Sequence, residues 1–379
     1  MLKAVTSALA IPRADWDRLA NPAGGAFNPL VSHDFFRCLE ESGCAVAKTG
    51  WTPRHLVMED EGRITGIVPC YRKRHSQGEY VFDYGWADAY ERAGGRYYPK
   101  MQVSAPFTPV TGPRLLAETE AQRRDLASAL IALCTQEEAS SVHMTFLPER
   151  DWEALGGKLW LKRTDIQFHW MNDGYAGFDD FLASLSSGKR KNIRKERASV
   201  RNAGISVHAL TGKDIAERHW DAFFDFYMDT GTRKWGSPYL NRRFFSMIGE
   251  AMSEHILLVI AERGGKPIAG ALNFIGSHAL YGRNWGAIEY HDNLHFETCY
   301  YQAIDFAIAR NMPRVEAGAQ GAHKLARGYL PQKTYSLHYL AHPGLQRAVA
   351  SYLDAERAGI EQEQQALAAH SPFRQEQDF

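Results

Sequence analysis

Apolar positions along the chain fall into two alternations that read alike. His55-Leu-Val-Met-Glu-Asp-Glu-Gly-Arg-Ile-Thr-Gly-Ile-Val68 and Leu257-Leu-Val-Ile-Ala-Glu-Arg-Gly-Gly-Lys-Pro-Ile-Ala-Gly-Ala-Leu272 each give an apolar strand, a charged glycine turn and a second strand holding Gly66 or Gly270. Charged glycine turns between apolar runs predict β-hairpins. Each hairpin leads into an aromatic segment, Tyr80-Val-Phe-Asp-Tyr-Gly-Trp86 with Tyr90 and Tyr281-Gly-Arg-Asn-Trp285 with Tyr290. Each is then followed by a long helix, Glu118 to about Glu138 and Glu297 to about Arg310, and by another strand. Recurrence of hairpin, aromatic strand, helix and strand in one order indicates an internal duplication.

Helical spacing marks the other elements. Ile215, His219, Ala222, Phe223 and Phe226 share a face of a helix from Asp214 to Asp229; Asn241 to Ser253 is a second, and Ser32 caps a third running to Glu41. Ile166–Met171 alternates as a strand and Asn172-Asp-Gly174 is a turn, which places a boundary near 165–175. After Pro343-Gly344, Leu345, Val349, Leu353 and Ile360 recur as in one long helix, read as a buttress against the body with a partner-binding helix as the alternative. The expected layout is an N-terminal domain over 1–168, a C-terminal domain over 169–342 and a terminal helix over 343–379. The class is α/β or α+β with a mixed sheet in each half.

The 379 residues exceed what one core usually organises, in keeping with two domains. Forty-four basic and forty-four acidic residues give zero formal charge, which excludes a protein that coats DNA in bulk. The five cysteines contain no C-x-x-C pair and read as reduced thiols. The apolar run Ile256–Ala261 is far too short to span a bilayer, and the N-terminal ten residues read as a first strand rather than a secretion signal, so a cytoplasmic protein is expected.

The zero conceals a concentration of charge. Ser187-Gly-Lys-Arg-Lys-Asn-Ile-Arg-Lys-Glu-Arg-Ala-Ser-Val-Arg201 carries seven basic residues and one acid, leaving the rest of the chain six negative. Arg190, Arg194, Arg197 and Arg201 recur at four, three and four, so one helix face carries four guanidiniums; Ile193 and Val200 mark an apolar stripe, and Ser186 or Ser187 can cap the start. Like charges at this spacing repel unless an anion answers them. The alternatives are a solvated face and a seat for a phosphate-rich ligand: a nucleotide-linked precursor, coenzyme A or the acceptor end of a tRNA.

The segment Leu185-Ser-Ser-Gly-Lys-Arg-Lys-Asn-Ile-Arg-Lys-Glu-Arg197 with Gly204-Ile-Ser-Val207 resembles the one that marks Fem-type peptidyltransferases, which are built from two acyltransferase domains of GNAT type. The resemblance tightens to a FemAB-like group of N-acyltransferases. It is carried by Thr230-Gly-Thr-Arg-Lys-Trp-Gly-Ser-Pro-Tyr239, Tyr281-Gly-Arg-Asn-Trp-Gly-Ala-Ile-Glu289, Leu294-His-Phe-Glu-Thr-Cys-Tyr-Tyr-Gln302 and Gly318-Ala-Gln-Gly-Ala-His-Lys-Leu-Ala-Arg-Gly-Tyr329. It implies two tandem GNAT-like domains with the active cleft in the second. The chain departs from the pattern at Ala322, where Glu is usual. Leu325-Ala-Arg-Gly-Tyr-Leu330 lacks the in-register Lys of F-K-x-x-F-G, and the Q/R-x-x-G-x-G/A pyrophosphate loop is missing, with Thr111-Gly-Pro-Arg114 a weak substitute.

Amide formation needs a neutral amine, an oxyanion donor and a proton for the leaving group. Glu297, at a helix start, is a candidate base or a carboxylate answering the helix dipole. His295, two positions earlier, is a second candidate or a core histidine. His323, Lys324 and Arg327 lie in the glycine-rich loop after the strand Arg314-Val-Glu316, where cations hold phosphate or an oxyanion. Strand alternation sends Tyr281, Arg283 and Trp285 to one face, a seat for a carboxylate or peptide or equally for a stacked structural Arg; Arg233, Lys234 and Trp235 form a similar cluster. Glu289, Gln302 and Gln320 join Arg190, Arg194 and Arg197 as substrate-binding candidates. His291/His295 and His338/His342 lack a third ligand, so no metal is expected.

The resulting expectation is an N-acyltransferase with no tightly bound cofactor. It would pass an activated acyl group from aminoacyl-tRNA to the amine of a cell-wall precursor, peptide or small molecule. An acyl-CoA-dependent transferase is the alternative, and a non-catalytic protein that recognises peptidoglycan peptides is a third reading, kept by Ala322.

Overall fold

The computed structural model describes residues 1–235, 238–319 and 321–374, without the side chains of Lys234, Trp235, Ala319 and Ala322. The chain divides into two compact units, one of residues 1–165 and 333–362, the other of residues 166–332 and from Glu363 on. The strands and helices run β1 (Leu2–Val5), α1 (Arg13–Ala20), α2 (His33–Glu41), β2 (Trp51–Pro53), β3 (His55–Asp60), β4 (Arg63–Val68), β5 (Cys70–Lys73), α3 (Tyr84–Arg92), β6 (Lys100–Val103), β7 (Leu116–Ala117), α4 (Glu120–Gln136), β8 (Ser141–Thr145), α5 (Glu149–Leu155) and β9 (Leu161–Met171). They continue with α6 (Phe178–Ser184), α7 (Ser187–Asn202), β10 (Ile205–Thr211), α8 (Glu217–Trp235), α9 (Arg242–Ala251), β11 (Ile256–Arg263), β12 (Lys266–Ile275), β13 (Leu280–Ala287), α10 (Leu294–Phe296), α11 (Gln302–Ala309), β14 (Arg314–Ala319), β15 (Tyr329–Leu340) and α12 (Pro343–Ala369).

In the first unit β1-β3-β4-β7 form an antiparallel sheet, and β2-β5-β6-β8 and the later part of β15 form a mixed one in which β6 and β8 are parallel. In the second, the order is β10-β11-β12-β13-β14-β9 with β13 and β14 parallel. The duplicated hairpins are β3-β4 and β11-β12. Gly66 stands opposite Met58 and Gly270 opposite Ile260, and each hairpin shifts register close to its turn. Each unit then joins a parallel strand pair through a helix, α4 or α11, as the mixed class requires.

Two expectations are corrected. Tyr80–Trp86 is not the first unit's counterpart of the Tyr281 strand; that counterpart is β6, and α3 begins at Tyr84. Trp86, Ala87 and Tyr90 recur at helical spacing and pack with Tyr97, Leu161, Leu345, Val349 and Leu353. The terminal helix is not a third segment of its own: it groups with the first unit up to Gln362 and with the second from Glu363. The caps also differ in detail, since neither Ser32 nor Ser186 makes a side-chain cap bond, whereas Asn241 does.

What draws residues 76–83 away from a strand is charge under cover. Lys100 is fully buried and donates to Ser76 Oγ (2.8 Å), Glu79 Oε2 (2.6 Å) and Asp83 Oδ2 (2.5 Å). On the same sheet face His143 and His338 meet through their Nδ1 atoms at 2.7 Å. Burial pushes His143 down to about 3 and Lys73 down to about 7. Such groups are held only while every partner stays in place.

Helix α8 lies on β13 with no room to spare: a methyl on Gly286 would stand 2.2 Å from the backbone of Phe226. Gly286→Ala should therefore lower unfolding free energy by about 2 kcal/mol or more, measured by urea denaturation; a loss under about 0.5 kcal/mol would contradict this packing.

Candidate active site

The second unit opens its sheet at one level. Among the described residues, β13 and β14 pair in parallel at Leu280↔Val315 and Tyr281↔Glu316. Immediately beyond, both strands carry an extra residue. On β13, Asn273 pairs with Gly282 and Leu272 with Asn284, so Arg283 is the bulged residue. On β14, Glu316 faces His169 while Ala319 faces Gln167, which leaves a bulge at Ala317-Gly318, where Gly318 takes φ +74°. Bulges bend strands and end pairing, and the two together part β13 from β14.

The bulge at Arg283 overturns the expectation that Tyr281, Arg283 and Trp285 share a face. An extra residue reverses the alternation, so Tyr281 and Trp285 project to opposite sides. Tyr281 is wholly buried, and burial pushes its phenol far up. Trp285 goes to the α11 side, edge-on to the His295 ring at 5.2 Å.

Around Trp285 a cluster assembles. His295 lies 5.3 Å from the Tyr300 ring and 6.1 Å from that of His323, and His323 Nε2 sits 2.9 Å from the Tyr300 hydroxyl. Phe296 stacks on Tyr300 at 6.1 Å. The structure thus brings together Trp285, His295 and His323 from three separate motifs. The expected long helix starts irregularly here: Glu297–Tyr301 is a π-helical turn, a form frequent at functional sites.

Lys324 is 3% exposed and donates to the Gly318 carbonyl oxygen at 3.0 Å. Burial pushes its ammonium down to about 8, with the nearby Cys299 thiol pulling the other way. An amine poised near neutrality beside a parted sheet suits proton transfer or oxyanion stabilisation.

Other candidates are committed to the protein itself. Arg327, read as catalytic, sends Nε and Nη2 to the two oxygens of Glu196 (3.1 and 2.7 Å) and Nη1 to the His323 carbonyl (2.7 Å), with its guanidinium 3.4 Å over Phe296. Glu297 accepts from Arg197 Nε (3.2 Å) and Nη2 (3.0 Å) and from Gln302 Nε2 (2.8 Å). Three donor nitrogens occupy this buried carboxylate, which anchors the Arg197 and Gln302 side chains. Arg197 Nη2 also reaches Asp305 at 2.7 Å.

The four arginines of α7 are therefore not one ligand-facing row. Arg197 falls four after Ile193 and three before Val200, on the buried stripe, and is answered internally. Arg194 and Arg201 are exposed, Arg190 half-buried, and Arg194 touches Asp179 at 3.1 Å. Arg233 pairs with Asp229 and donates to the Ala287 carbonyl at 2.9 Å, bracing the end of β13. Glu289 binds Arg263 and His291 at the surface, apart from the cluster. The Trp235 side chain and Gln320 lie outside the described residues. Sequence reasoning passed over Tyr300, Phe296 and Glu196; the last is the one acid in the basic run, a signal available for use.

Among the described residues no group of three His, Cys, Asp or Glu side chains could hold a metal, and no helix is long and apolar enough to cross a membrane. A family model named FemAB-like and described as peptidoglycan biosynthesis/recognition matches residues 7–375. The crystal structure of FemX is similar over 90% of this chain and 98% of its own, at 11% identity and TM-score 0.55. L-PGS from Bacillus licheniformis is similar over 87% and 98%, at 8% identity and TM-score 0.52. At these identities the likeness is one of fold. No curated protein matches the chain in sequence.

The buried Lys324 sets a pH test. Its pKa in the fold, about 8, lies below the ordinary 10.5, so the unfolded chain binds more protons between those values and stability rises with pH across that window. Below pH 8 the full penalty, on the order of 3 kcal/mol, is present. Lys324→Met should be more stable than the parent at pH 7, with the advantage fading toward pH 10.5, and should lose transfer activity. Denaturation curves at several pH values check the first part; a pH-independent loss of stability would contradict it.

Proposed function

The chain belongs to the FemAB-like family, whose description covers both biosynthesis and recognition of peptidoglycan, and we propose that it works on the biosynthetic side as an amide-forming N-acyltransferase. The donor is an activated amino acid, carried as aminoacyl-tRNA; the acceptor is the amine of a cell-wall precursor or related peptide. The observation that carries the reading is the parting of β13 from β14 at two facing bulges, with the near-neutral Lys324 bonded to the bulge carbonyl of Gly318. A carbonyl entering beside the two bulges meets a buried amine, the polar setting that acyl transfer uses for its oxyanion and leaving group.

The exposed remainder of α7 supports a phosphate-bearing donor. With Arg197 turned inward, Lys191, Arg194, Lys195 and Arg201 face solvent beside the half-buried Lys189 and Arg190. The helix N-terminus adds partial positive charge beside Lys189, Arg190 and Lys191. This suits the end of a tRNA, whose contacts are few and local, and agrees with the zero net charge of the whole.

Charged tRNA carrying a radiolabelled amino acid, offered with peptide amines, should yield labelled amide. Arg190→Glu with Arg194→Glu should weaken donor binding about tenfold or more at low salt and flatten its salt dependence, while stability moves less than about 0.5 kcal/mol. Amide formed only from acyl-CoA would replace the donor assignment. Peptide binding without any transfer would move the protein to the recognition side of the family.

A further inference from the structure

Glu316 and His169 face each other across neighbouring strands at the level where the sheet opens. Glu316 is 1% exposed and His169 9%. Glu316 Oε1 accepts from Arg314 Nε at 2.9 Å, but among the described residues Oε2 has no hydrogen-bond partner, and His169 Nε2, 3.9 Å from that oxygen, has none either. The gap is too short to admit a bridging water and too long for a hydrogen bond. Two buried polar atoms left unbonded side by side are unfavourable. Catalytic hydrogen bonds, in contrast, are often long before substrate enters and tighten afterwards.

The surroundings fix what this pair can do. Arg314 is held off the unbonded oxygen because its Nη2 is engaged by His278 Nε2 at 3.0 Å, an atom that also lies 3.5 Å from the Tyr281 hydroxyl. Burial keeps His169 below its ordinary 6.5; Glu316 opposes this, while Arg314 and Lys324, the charged groups that also face the ring, add to it. The imidazole is thus neutral at pH 7. No described residue bonds its Nδ1.

We propose that His169 is the general base of the transfer, with Glu316 as the positioning carboxylate that sets its tautomer. This rests on the transferase reading above. With Nε2–H turned to Glu316, Nδ1 takes a proton from the acceptor amine as its nitrogen bonds to the donor's carbonyl carbon. The ester C–O bond then breaks and the same proton passes to the departing ribose oxygen, returning the ring to its starting state. Glu297, closed off by three donors, is not needed for this step.

The test uses the full chain, His169→Gln and Glu316→Gln, each checked for an unchanged melting curve. In ring-¹⁵N-histidine NMR from pH 5 to 9, His169 should be neutral at pH 7 with its proton on Nε2, and Glu316→Gln should erase that preference. In transfer from charged tRNA to a peptide amine, His169→Gln should lower kcat by about 10²-fold or more with KM little changed, and should remove the rise of activity with pH on the acid side. A protonated His169 at pH 7, a tautomer unmoved by Glu316→Gln, or an unchanged kcat would each overturn the assignment. A parent protein inactive with every donor would instead refute the transferase reading, and the NMR result separates that failure from failure of the pair. Should His169→Gln fold poorly, Glu316→Gln carries the same two readouts.

Discussion

Two adjacent side chains on α7 hold the second unit's site together through opposite charges. Glu196 binds Nε and Nη2 of Arg327 and the hydroxyl of Tyr301; Arg197 binds Glu297 and Asp305. One residue thereby ties down the glycine-rich turn, and its neighbour ties down the π-helical turn and the start of α11. Because these groups are largely buried, each ion is stable only with its partner in place. The positions of His323, Tyr300 and Lys324 follow from this arrangement, since Arg327 also bonds the His323 carbonyl and stacks on Phe296.

The sheet supplies the other half of the site. Parallel strands do not part without a cause, and here the cause is one extra residue in each, Arg283 in β13 and the Ala317-Gly318 step in β14. The clamp and the bulges work together: the bulge at Gly318 presents the carbonyl that Lys324 bonds, and the clamp holds the turn from which Lys324 extends.

Much of this was legible in the sequence, and what was not has physical reasons. The hairpins at 55–68 and 257–272 read out correctly because alternation and a charged glycine turn are local signals. Lys324 and His323 stood out because glycines surround them. Arg197 reads as a ligand contact in the basic run, yet its spacing from Ile193 and Val200 places it on the apolar stripe, and a charge on that stripe requires an internal partner. The bulge at Arg283 could not be seen, because a bulge is a mismatch with another strand and has no signature within its own. The polar face of β8 and β15, where Ser141, His143, Thr145 and Ser336, His338 alternate with apolar residues, carries no local sign of burial. It is buried because Glu79 and Asp83, carried by a connecting segment, cover Lys100.

The clamp is best tested by hydrogen exchange on Glu196→Gln, a change that keeps shape and removes one charge. Loss of the ion pair with Arg327 should speed amide exchange in residues 323–328 by about tenfold or more, while β11 and β12 keep their protection. Unchanged exchange in that turn would contradict the account, as would an equal loss of protection throughout the second unit.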